Sequence, residues 1–265
     1  MGHMSTNCSR NQVTSDVFLS VPTLVLVQEQ LCTSAAVSRL ISVPKCEVIN
    51  EQVPMHKERS VDAFLGIAVI LSGYLLGSIP MGLLLVWAMT GKDVRDIGSG
   101  RTGGTNVLRA AGPWVALLAI LGDVAKGLAA VWLARKVVGT PAVEALAGLM
   151  AVVGHNYSIF IGFKGGAGTM TTISGATLLW PWTALLIAVV GIPTVVITRY
   201  ASVGSITVAL LIPIIFACRA WLADAPWAYL IHGLGTTILT LWALRSNIKR
   251  LLQGNERRLV LRKST

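Results

Sequence analysis

Charged residues are scarce in this sequence, and neither a disulfide pattern nor a nucleotide-binding motif points to its function. Of its 265 residues, 13% are charged and 54% are hydrophobic, with a mean hydropathy of +0.68. This balance excludes an ordinary water-soluble domain and is typical of an integral membrane protein. The four cysteines form no CxxC pair and no cluster with histidine at metal-ligand spacing. No stretch reads GxxxxGK[ST], which excludes a P-loop.

Positive charge is present but unevenly distributed. Residues 1–62 hold five Lys/Arg and six Asp/Glu, a net charge of −1, whereas residues 63–265 hold seventeen and six, a net charge of +11. Such an excess beside apolar segments usually marks cytoplasmic loops, and it can bind anionic lipid or phosphate. Aromatic and basic residues do not alternate on a polar face, which argues against nucleic acid as a partner.

The apolar runs divide the chain into two regions. We expect a poorly ordered N-terminal extension over residues 1–62, because its most apolar piece, residues 17–28, is too short to cross a membrane. Residues 63–265 are expected to form a transmembrane domain, whose first run covers 26 uncharged residues at 64–89. Further apolar runs cover residues 113–135, 142–163, 171–198, 203–222 and 226–244.

The loop charges indicate how often the chain crosses the membrane. Thirteen Lys/Arg lie in 91–112, at 164 and 199, and in 245–263, whereas only Arg135, Lys136 and Arg219 lie in the opposite loops. All thirteen can face the cytoplasm only if an even number of crossings separates Lys164 from Arg199. Pro181 can divide 171–198 into two short pieces that enter and return. The sequence therefore predicts an all-α membrane protein of about seven transmembrane helices, with its N-terminus outside and its C-terminus in the cytoplasm.

In this topology four polar stretches meet at one face: 92–109, 154–169, 199–205 and 245–256. Each carries Arg or Lys beside hydroxyl or amide side chains, and two are rich in glycine. Glycine lets successive N–H groups turn toward one anion, while Ser, Thr and Arg add side-chain donors. We therefore expect phosphate capture at the membrane surface. For a single glycine-rich stretch, the alternative is a helix-packing surface or a plain loop.

Six motifs follow one another over roughly residues 64–258: GSIPMG, KDVRDIGSGRTGGTNVLRAAG, LGDVAKG, GHNYSIFIGFKGGAGT, RYASVGSI and RSNIKRLLQGNE. Together they resemble the PlsY family of bacterial membrane acyltransferases. The resemblance implies a seven-helix enzyme of phospholipid biosynthesis that uses acyl phosphate to acylate glycerol 3-phosphate. It implies the cell inner membrane, a cytoplasmic active site, and no metal, coenzyme A or carrier protein. Because acyl phosphate is already activated, orientation and charge stabilisation can supply most of the catalysis.

The resemblance also implies the site residues, motif by motif. Ser99 and Arg109 would be catalytic and contact phosphate, and the same motif supplies Gly98, Gly100, Arg101, Gly103, Thr105 and Asn106. The second glycine-rich motif supplies His155, Gly165, Gly166 and Gly168 for substrate binding. Ser202 and Ser205 follow the Arg-Tyr pair, and the C-terminal motif supplies Asn247 as a catalytic residue together with Arg250 and Glu256.

Five positions depart from the family pattern. Arg101 replaces an asparagine, Gly104 an alanine, Ser158 a proline, Ala167 a lysine and Leu244 a histidine. The family lysine is a phosphate ligand, and losing one charge-assisted contact costs roughly 1.5–3 kcal/mol. We hypothesise that Arg101 restores the missing charge from the facing loop. Ala167 and Leu244 favour an alternative function, that of a weak or inactive homologue that binds phosphate or lipid without turnover.

Asp123 and Lys126 lie three residues apart inside a predicted span, where ionisable groups are costly and face protein or water. They serve either the function or the packing of helices, as an i,i+3 pair. His155 either orients the glycine-rich loop or is a buried structural histidine. A small anion transporter is a further alternative, although few other intramembrane polar residues could line its path. Membrane lipids are the expected partners, and the oligomeric state stays open, with a monomer allowed.

Overall fold

A computed structural model describes residues 55–259 of the chain, with side chains from residue 63. These residues form helices and short connections, with no strand among them. The helices are α1 (Met55–Ser78), α2 (Met81–Thr90), α3 (Gly104–Val137), α4 (Pro141–Asn156), α5 (Thr169–Leu179), α6 (Trp182–Thr198), α7 (Ala201–Leu222), α8 (Tyr229–Ala243) and α9 (Arg245–Leu252), with 3₁₀ turns at Val94–Asp96 and Ile159–Ile161. The all-α prediction is confirmed for this part of the chain. α1 begins inside the segment 1–62 expected as an extension, and residues 1–54 lie outside the described residues.

The first apolar run is interrupted at Pro80, although the sequence reads as one continuous span. Proline has no N–H to continue the helix, and α2 begins directly after it. In a membrane, the carbonyls freed by an interruption must find partners within the protein. The Ser158 hydroxyl donates to the Ser78 carbonyl, and Lys126 Nζ donates to the Ile79 carbonyl at 3.2 Å. The Met81 N–H also donates to the Ile79 carbonyl, at 3.0 Å. Side chains from α3 and from the segment after α4, together with this N–H, therefore satisfy the break.

α1 and α4 approach so closely that their backbones touch. Gly73 and Gly77 lie four residues apart on α1 and face Ala147 and Ala151 of α4. A Cβ atom at Gly73 would lie 2.6 Å from the Ala147 carbonyl oxygen, and one at Gly77 would overlap the Ala151 carbonyl. Small residues at this spacing are the usual means of close packing between membrane helices. The contact fixes the position of α4, and with it the segment that follows α4.

The run 171–198 is divided at Pro181, which confirms the predicted interruption: α5 ends shortly before this residue and α6 begins after it. α5 leads away from one end of the bundle and α6 leads back to it. This follows because Thr169, at the start of α5, donates to the Ser205 hydroxyl, near the start of α7, at 2.9 Å. With 11 residues, α5 is only about 16 Å long, too short to cross the hydrocarbon core of a bilayer.

Apolar side chains cover the outside of the helix bundle. Among residues 55–259, four stretches are long and apolar enough to cross a membrane, Ala63–Thr90, Gly104–Val137, Pro141–Ile161 and Ala201–Leu222, and Trp182–Thr198 is a shorter apolar helix. Large apolar side chains project from this surface, such as Trp114 at 78% exposure and Ile197 at 80%. A surface of this kind is stable in contact with lipid, so the protein is an integral membrane protein. The count of seven crossings stays a prediction.

A buried apolar cluster supports the segment between α2 and α3. It joins side chains of both helices to the 3₁₀ turn, through Val86, Val94, Val107, Val115, Ala116 and Ala119. Val86, Val94 and Val107 are fully buried. The first glycine-rich motif is therefore attached to a packed core.

Replacing Gly77 with valine would place methyl groups where the Ala151 carbonyl lies, and α1 and α4 would have to separate. We expect a loss of about 1–3 kcal/mol of stability, measured as a lower midpoint of thermal unfolding of the purified protein in detergent. Gly66→Ala is the matched control, because a Cβ there would lie 3.6 Å from Val143 Cγ2, an ordinary contact. Equal midpoints for the two variants would contradict the close packing of these helices.

Candidate active site

Three connecting segments, 91–103, 157–168 and 199–200, lie at one end of the bundle together with the C-terminal segment 244–259, which includes α9. We call these four segments the loop end. A cavity of about 150 Å³, the first cavity, lies among them. Thirteen of the residues implied by the resemblance line it: Ser99, Arg101, Gly103, Thr105, Asn106, Arg109, His155, Gly168, Ser202, Ser205, Asn247, Arg250 and Glu256. The structure thus brings together all four polar stretches that the sequence placed at one face.

A second cavity of about 310 Å³ opens beside the first. Gly100, Gly165 and Gly166 line it, while Ser99 and Arg101 line both cavities. Lys164 and Arg245 add positive charge to the second cavity. Among the predicted site residues, Gly98 lines neither cavity; a Cβ there would overlap Asn106 Oδ1, so Gly98 serves the shape of its loop.

Three helices begin at the first cavity, with their N-terminal residues in its wall. These starts are Gly103–Thr105 of α3, Gly168–Met170 of α5 and Ala201–Ser202 of α7. None of the three helices has a side-chain hydrogen bond at its N-cap. The first N–H groups of a helix lack intrahelical partners, and the helix dipole adds partial positive charge, so helix starts bind anions. The cavity therefore suits a phosphate group.

Asn106 organises the first glycine-rich loop from a position on the first turn of α3. Its side chain, 2% exposed, donates through Nδ2 to the carbonyls of Val94, Ile97 and Arg101 at 2.8, 2.8 and 2.9 Å, and its Oδ1 accepts the Ser99 N–H at 3.0 Å. The resemblance implied a substrate-binding role for Asn106. In the structure its amide binds the backbone of its own loop, and it thereby positions Ser99.

Arg109 lies on α3, one turn before a break that the sequence did not predict. The helix begins at Gly104, so this part of the motif is helical and not a loop, and Gly112 interrupts it with φ 84° and ψ −178°. Among the described residues no carboxylate pairs with Arg109. An arginine without a paired carboxylate at a cavity wall attracts an anion.

Arg101 connects the first loop to the C-terminal helices. Its guanidinium donates to Asn247 Oδ1 at 2.8 Å, to Ser246 Oγ at 3.3 Å and to the Ala243 carbonyl. Burial and the positive charges of Arg250 and Arg245 lower the pKa of Arg101. The surrounding charge therefore disfavours the guanidinium cation, and an anion in the first cavity would stabilise it.

The second glycine-rich loop packs its backbone on the end of α4. The N–H groups of Gly165 and Gly166 donate to the carbonyls of Asn156 and His155 at 3.0 and 3.1 Å. These two N–H groups are occupied, which differs from the expectation that they turn toward an anion. A Cβ at Gly168 would lie 2.7 Å from Asn156 Oδ1, and its φ is 78°. Glycine is required here for close approach and for the turn into α5.

Glu256 accepts hydrogen bonds from three residues of the predicted site. Its carboxylate accepts from Asn247 Nδ2 at 2.7 Å, Arg250 Nε at 2.9 Å and Ser202 Oγ at 3.2 Å, and its side chain is 6% exposed. An anionic residue held in this way is a poor phosphate ligand. It instead ties the C-terminal segment to the start of α7 and orients Asn247.

Sequence reasoning left three polar residues of the first cavity out of the site: Asp123, Thr169 and Arg257. Asp123 carried a usable signal, because an ionisable residue inside a span is rare without a role. The signal was recognised, but nothing in the sequence placed Asp123 beside His155. Thr169 and Arg257 gave no comparable signal.

The fold and the cavity define an integral membrane protein with a cavity lined by arginines and helix starts at one end of its helices. The model of the family described as glycerol-3-phosphate acyltransferase matches residues 67–254. The chain belongs to this family.

Relatives and solved structures agree with this membership. The chain is 40% identical over 189 residues to a glycerol-3-phosphate acyltransferase of Syntrophomonas wolfei, over 71% of this chain and 94% of that protein. It is 41% identical over 209 residues to glycerol-3-phosphate acyltransferase 3 of Dehalococcoides mccartyi, over 72% and 94%. Crystal structures of PlsY (YgiH), an integral membrane glycerol 3-phosphate acyltransferase, match with TM-scores of 0.68 in the glycerol 3-phosphate form and 0.65 in the lysophosphatidic acid form. They are 33% and 32% identical to the chain over 74% of its length, and the match covers 96% and 95% of theirs.

Replacing Asn106 with aspartate keeps the size of the side chain but removes both of its donor hydrogens. Three carbonyls would then face a carboxylate, and we expect a loss of about 1–3 kcal/mol in the free energy of unfolding. Denaturation of the purified protein, followed by tryptophan fluorescence, measures the change. Asn255→Asp is the control, because the Asn255 side chain is exposed. An unchanged Asn106→Asp variant would show that the loop does not depend on this amide.

Proposed function

We propose that this chain transfers a fatty acyl group from acyl phosphate to glycerol 3-phosphate, giving 1-acyl-glycerol 3-phosphate and phosphate. Family membership supports the reaction class and the acceptor. The observation that carries the proposal is the convergence of three helix starts without side-chain caps, with Arg109 and Arg101, on one cavity. Both substrates and both products are phosphate or bear a phosphate group, and this set of donors stabilises such anions.

The reaction needs little chemistry from the protein itself. A hydroxyl of glycerol 3-phosphate attacks the acyl carbonyl, the bond from carbon to phosphate oxygen breaks, and a substrate phosphate takes the hydroxyl proton. Ser99, Arg109 and Asn247 would hold the reacting groups, which orients them and stabilises developing charge. The two adjoining cavities share Ser99 and Arg101, which supports binding of two phosphate-bearing substrates side by side.

The acyl chain of the donor requires an apolar path from the first cavity. Ile120 and Met170 belong to its lining and supply apolar surface beside the polar donors. Met170 is 36% exposed on α5, a helix of the bundle. This arrangement supports entry of the acyl chain sideways, from a groove between helices, where lipid surrounds the protein.

The loop end faces the cytoplasm in our proposal, and the membrane is the cell inner membrane. Among the described residues, eleven Lys/Arg lie in the loop end or, for Arg109, beside it, whereas Arg135, Lys136 and Arg219 lie at the far ends of α3 and α7, which supports this orientation. Seven membrane segments would follow, with α5 and α6 counted as one short piece that enters the membrane and one that returns.

Arg109→Ala should abolish turnover. Without this guanidinium the first cavity loses a charge that faces the phosphate, and we expect at least a hundredfold fall in phosphate release from acyl phosphate in the presence of glycerol 3-phosphate. The assay uses purified protein in detergent or lipid. Lys249→Ala is the control, because Lys249 is exposed and lines neither cavity. Absence of release above background for the unmodified protein would contradict the proposed activity.

A weak homologue without useful turnover is the second candidate, and Ala167 in the wall of the first cavity favours it. Arg101 lines the same cavity, so its charge is available where the family has lysine. Ala167→Lys separates the two functions. A weakened enzyme should gain activity in the phosphate-release assay, whereas a protein that only binds should gain none.

Arg101→Ala tests whether arginine compensates for the missing lysine. We expect the KM for glycerol 3-phosphate to rise roughly tenfold to a hundredfold, the equivalent of roughly 1.5–3 kcal/mol. Adding Ala167→Lys to this variant should restore affinity, which a purely structural defect at residue 101 would not allow. Unchanged affinity in Arg101→Ala would show that the compensation hypothesis is wrong.

A further inference from the structure

A chain of buried polar contacts connects the interruption of the first span to the second glycine-rich loop. We propose that Asp123 and Lys126 are positioning residues, which act through His155 to hold the loop of residues 165–168 at the first cavity. The kinetic consequence rests on the proposed function, whereas the structural consequence is independent of it.

Lys126 forms the fixed end of this chain of contacts. Its Nζ lies 2.8 Å from Asp123 Oδ1 and donates to the Ile79 carbonyl at 3.2 Å. That carbonyl belongs to the interruption before Pro80, where it also accepts the Met81 N–H at 3.0 Å. Since the Lys126 side chain is only 5% exposed, its ammonium depends on these two partners. The ammonium is thus held by a feature of the fold outside its own helix.

Asp123 contacts both Lys126 and His155 and so connects them. The same oxygen, Oδ1, lies 3.3 Å from His155 Nδ1, and both side chains are 5% exposed or less. Neither contact of Oδ1 has the alignment of a hydrogen bond, so the attraction is electrostatic and depends on the carboxylate charge. Asp123 and His155 both line the first cavity. A lone carboxylate there would repel a phosphate, and Lys126 balances its charge.

His155 meets the loop in two ways. Its imidazole Nε2 lies against Gly166, where a Cβ atom would overlap it, and its carbonyl accepts the Gly166 N–H at 3.1 Å. The next two residues, Ala167 and Gly168, line the first cavity. The position of the ring therefore sets the position of this wall of the cavity and of the start of α5.

A second ion pair shows what a purely structural pair looks like. Arg135 and Glu144 join α3 to α4 at the opposite end of these helices, with Arg135 NH2 2.7 Å from Glu144 Oε2; the Glu144 side chain is 6% exposed and that of Arg135 is 39% exposed. Neither residue lines the first or the second cavity. An i,i+3 pair on one helix, such as Asp123 with Lys126, cannot join two helices by itself. Only its outer contacts, Ile79 and His155, give it a role beyond α3.

The test replaces both charges together by neutral side chains of similar size, Asp123→Asn with Lys126→Met. Replacing one alone would leave a buried charge unpaired and could prevent folding. We expect the KM for glycerol 3-phosphate to rise about tenfold while kcat changes less, because the loop that binds substrate is displaced but the catalytic residues remain. Arg135→Met with Glu144→Gln is the matched control, and its KM and kcat should equal those of the unmodified protein.

Two further measurements separate positioning from general destabilisation. Hydrogen–deuterium exchange should become faster at the Gly165 and Gly166 amides in the Asp123/Lys126 variant and stay unchanged there in the control variant. His155→Ala should raise KM as well, and combining it with the Asp123/Lys126 changes should add little, because both act through one ring.

Unchanged exchange of these amides, or effects on KM that simply add, would overturn the proposal. Exchange is measured on the intact protein without substrate. If the unmodified protein shows no turnover while the amides of the variant exchange faster, the proposed function fails and the positioning role stands.

Discussion

Backbone groups inside a membrane must be satisfied by the protein, because lipid offers no hydrogen bonds. Backbone groups of the loop end that are buried from water have the same requirement. Lys126 and Ser158 donate to backbone carbonyls at the break before Pro80, and Asn106 does so in the first glycine-rich loop. Arg101 donates to the Ala243 carbonyl at the end of α8. Polar side chains in these motifs therefore work first as partners of irregular backbone. The substrate site can exist only because they do so.

The positive charge of the site arises because its carboxylates are paired with cations. Asp123 and Glu256 are the carboxylates at the first cavity, and each is paired, with Lys126 and Arg250 respectively. Arg109 and the helix starts remain to face the cavity. The net field there is positive even though acidic residues are present, which is what a pocket for phosphate esters requires.

The sequence could predict those features whose physical cause is local. Proline removes a helical hydrogen bond, and the loop charges require an even number of crossings between Lys164 and Arg199, so the division of this run at Pro181 could be predicted. Proline alone would not have been enough, because Pro193 and Pro213 lie inside α6 and α7. Pro80 has the same chemistry, but the apolar run around it contains no charged residue and agrees with the loop charges as a single crossing. The sequence therefore predicts one continuous span there. The beginning of α3 at Gly104 was missed because glycine-rich sequence favours a loop until packing overrides it.

The sequence predicted which residues lie at the site better than it predicted what each residue does there. Thirteen of the implied residues line one cavity, but Asn106, Glu256 and the glycines at 165 and 166 bind backbone or other side chains. Their partners lie at distances along the chain that no motif spacing reveals. Arg101 shows the same limit, since its partners Ser246 and Asn247 lie more than 140 positions away.

Glu256 ties the end of the described chain to helices that precede it. Ser202 of α7 lies 54 positions before it, and Asn247 and Arg250 belong to α9, yet all three donate to this one carboxylate. Loss of the carboxylate would leave every apolar helix unchanged and would deprive three residues at the first cavity of their common acceptor. The geometry of the cavity wall is thereby coupled to the segment that follows the last helix.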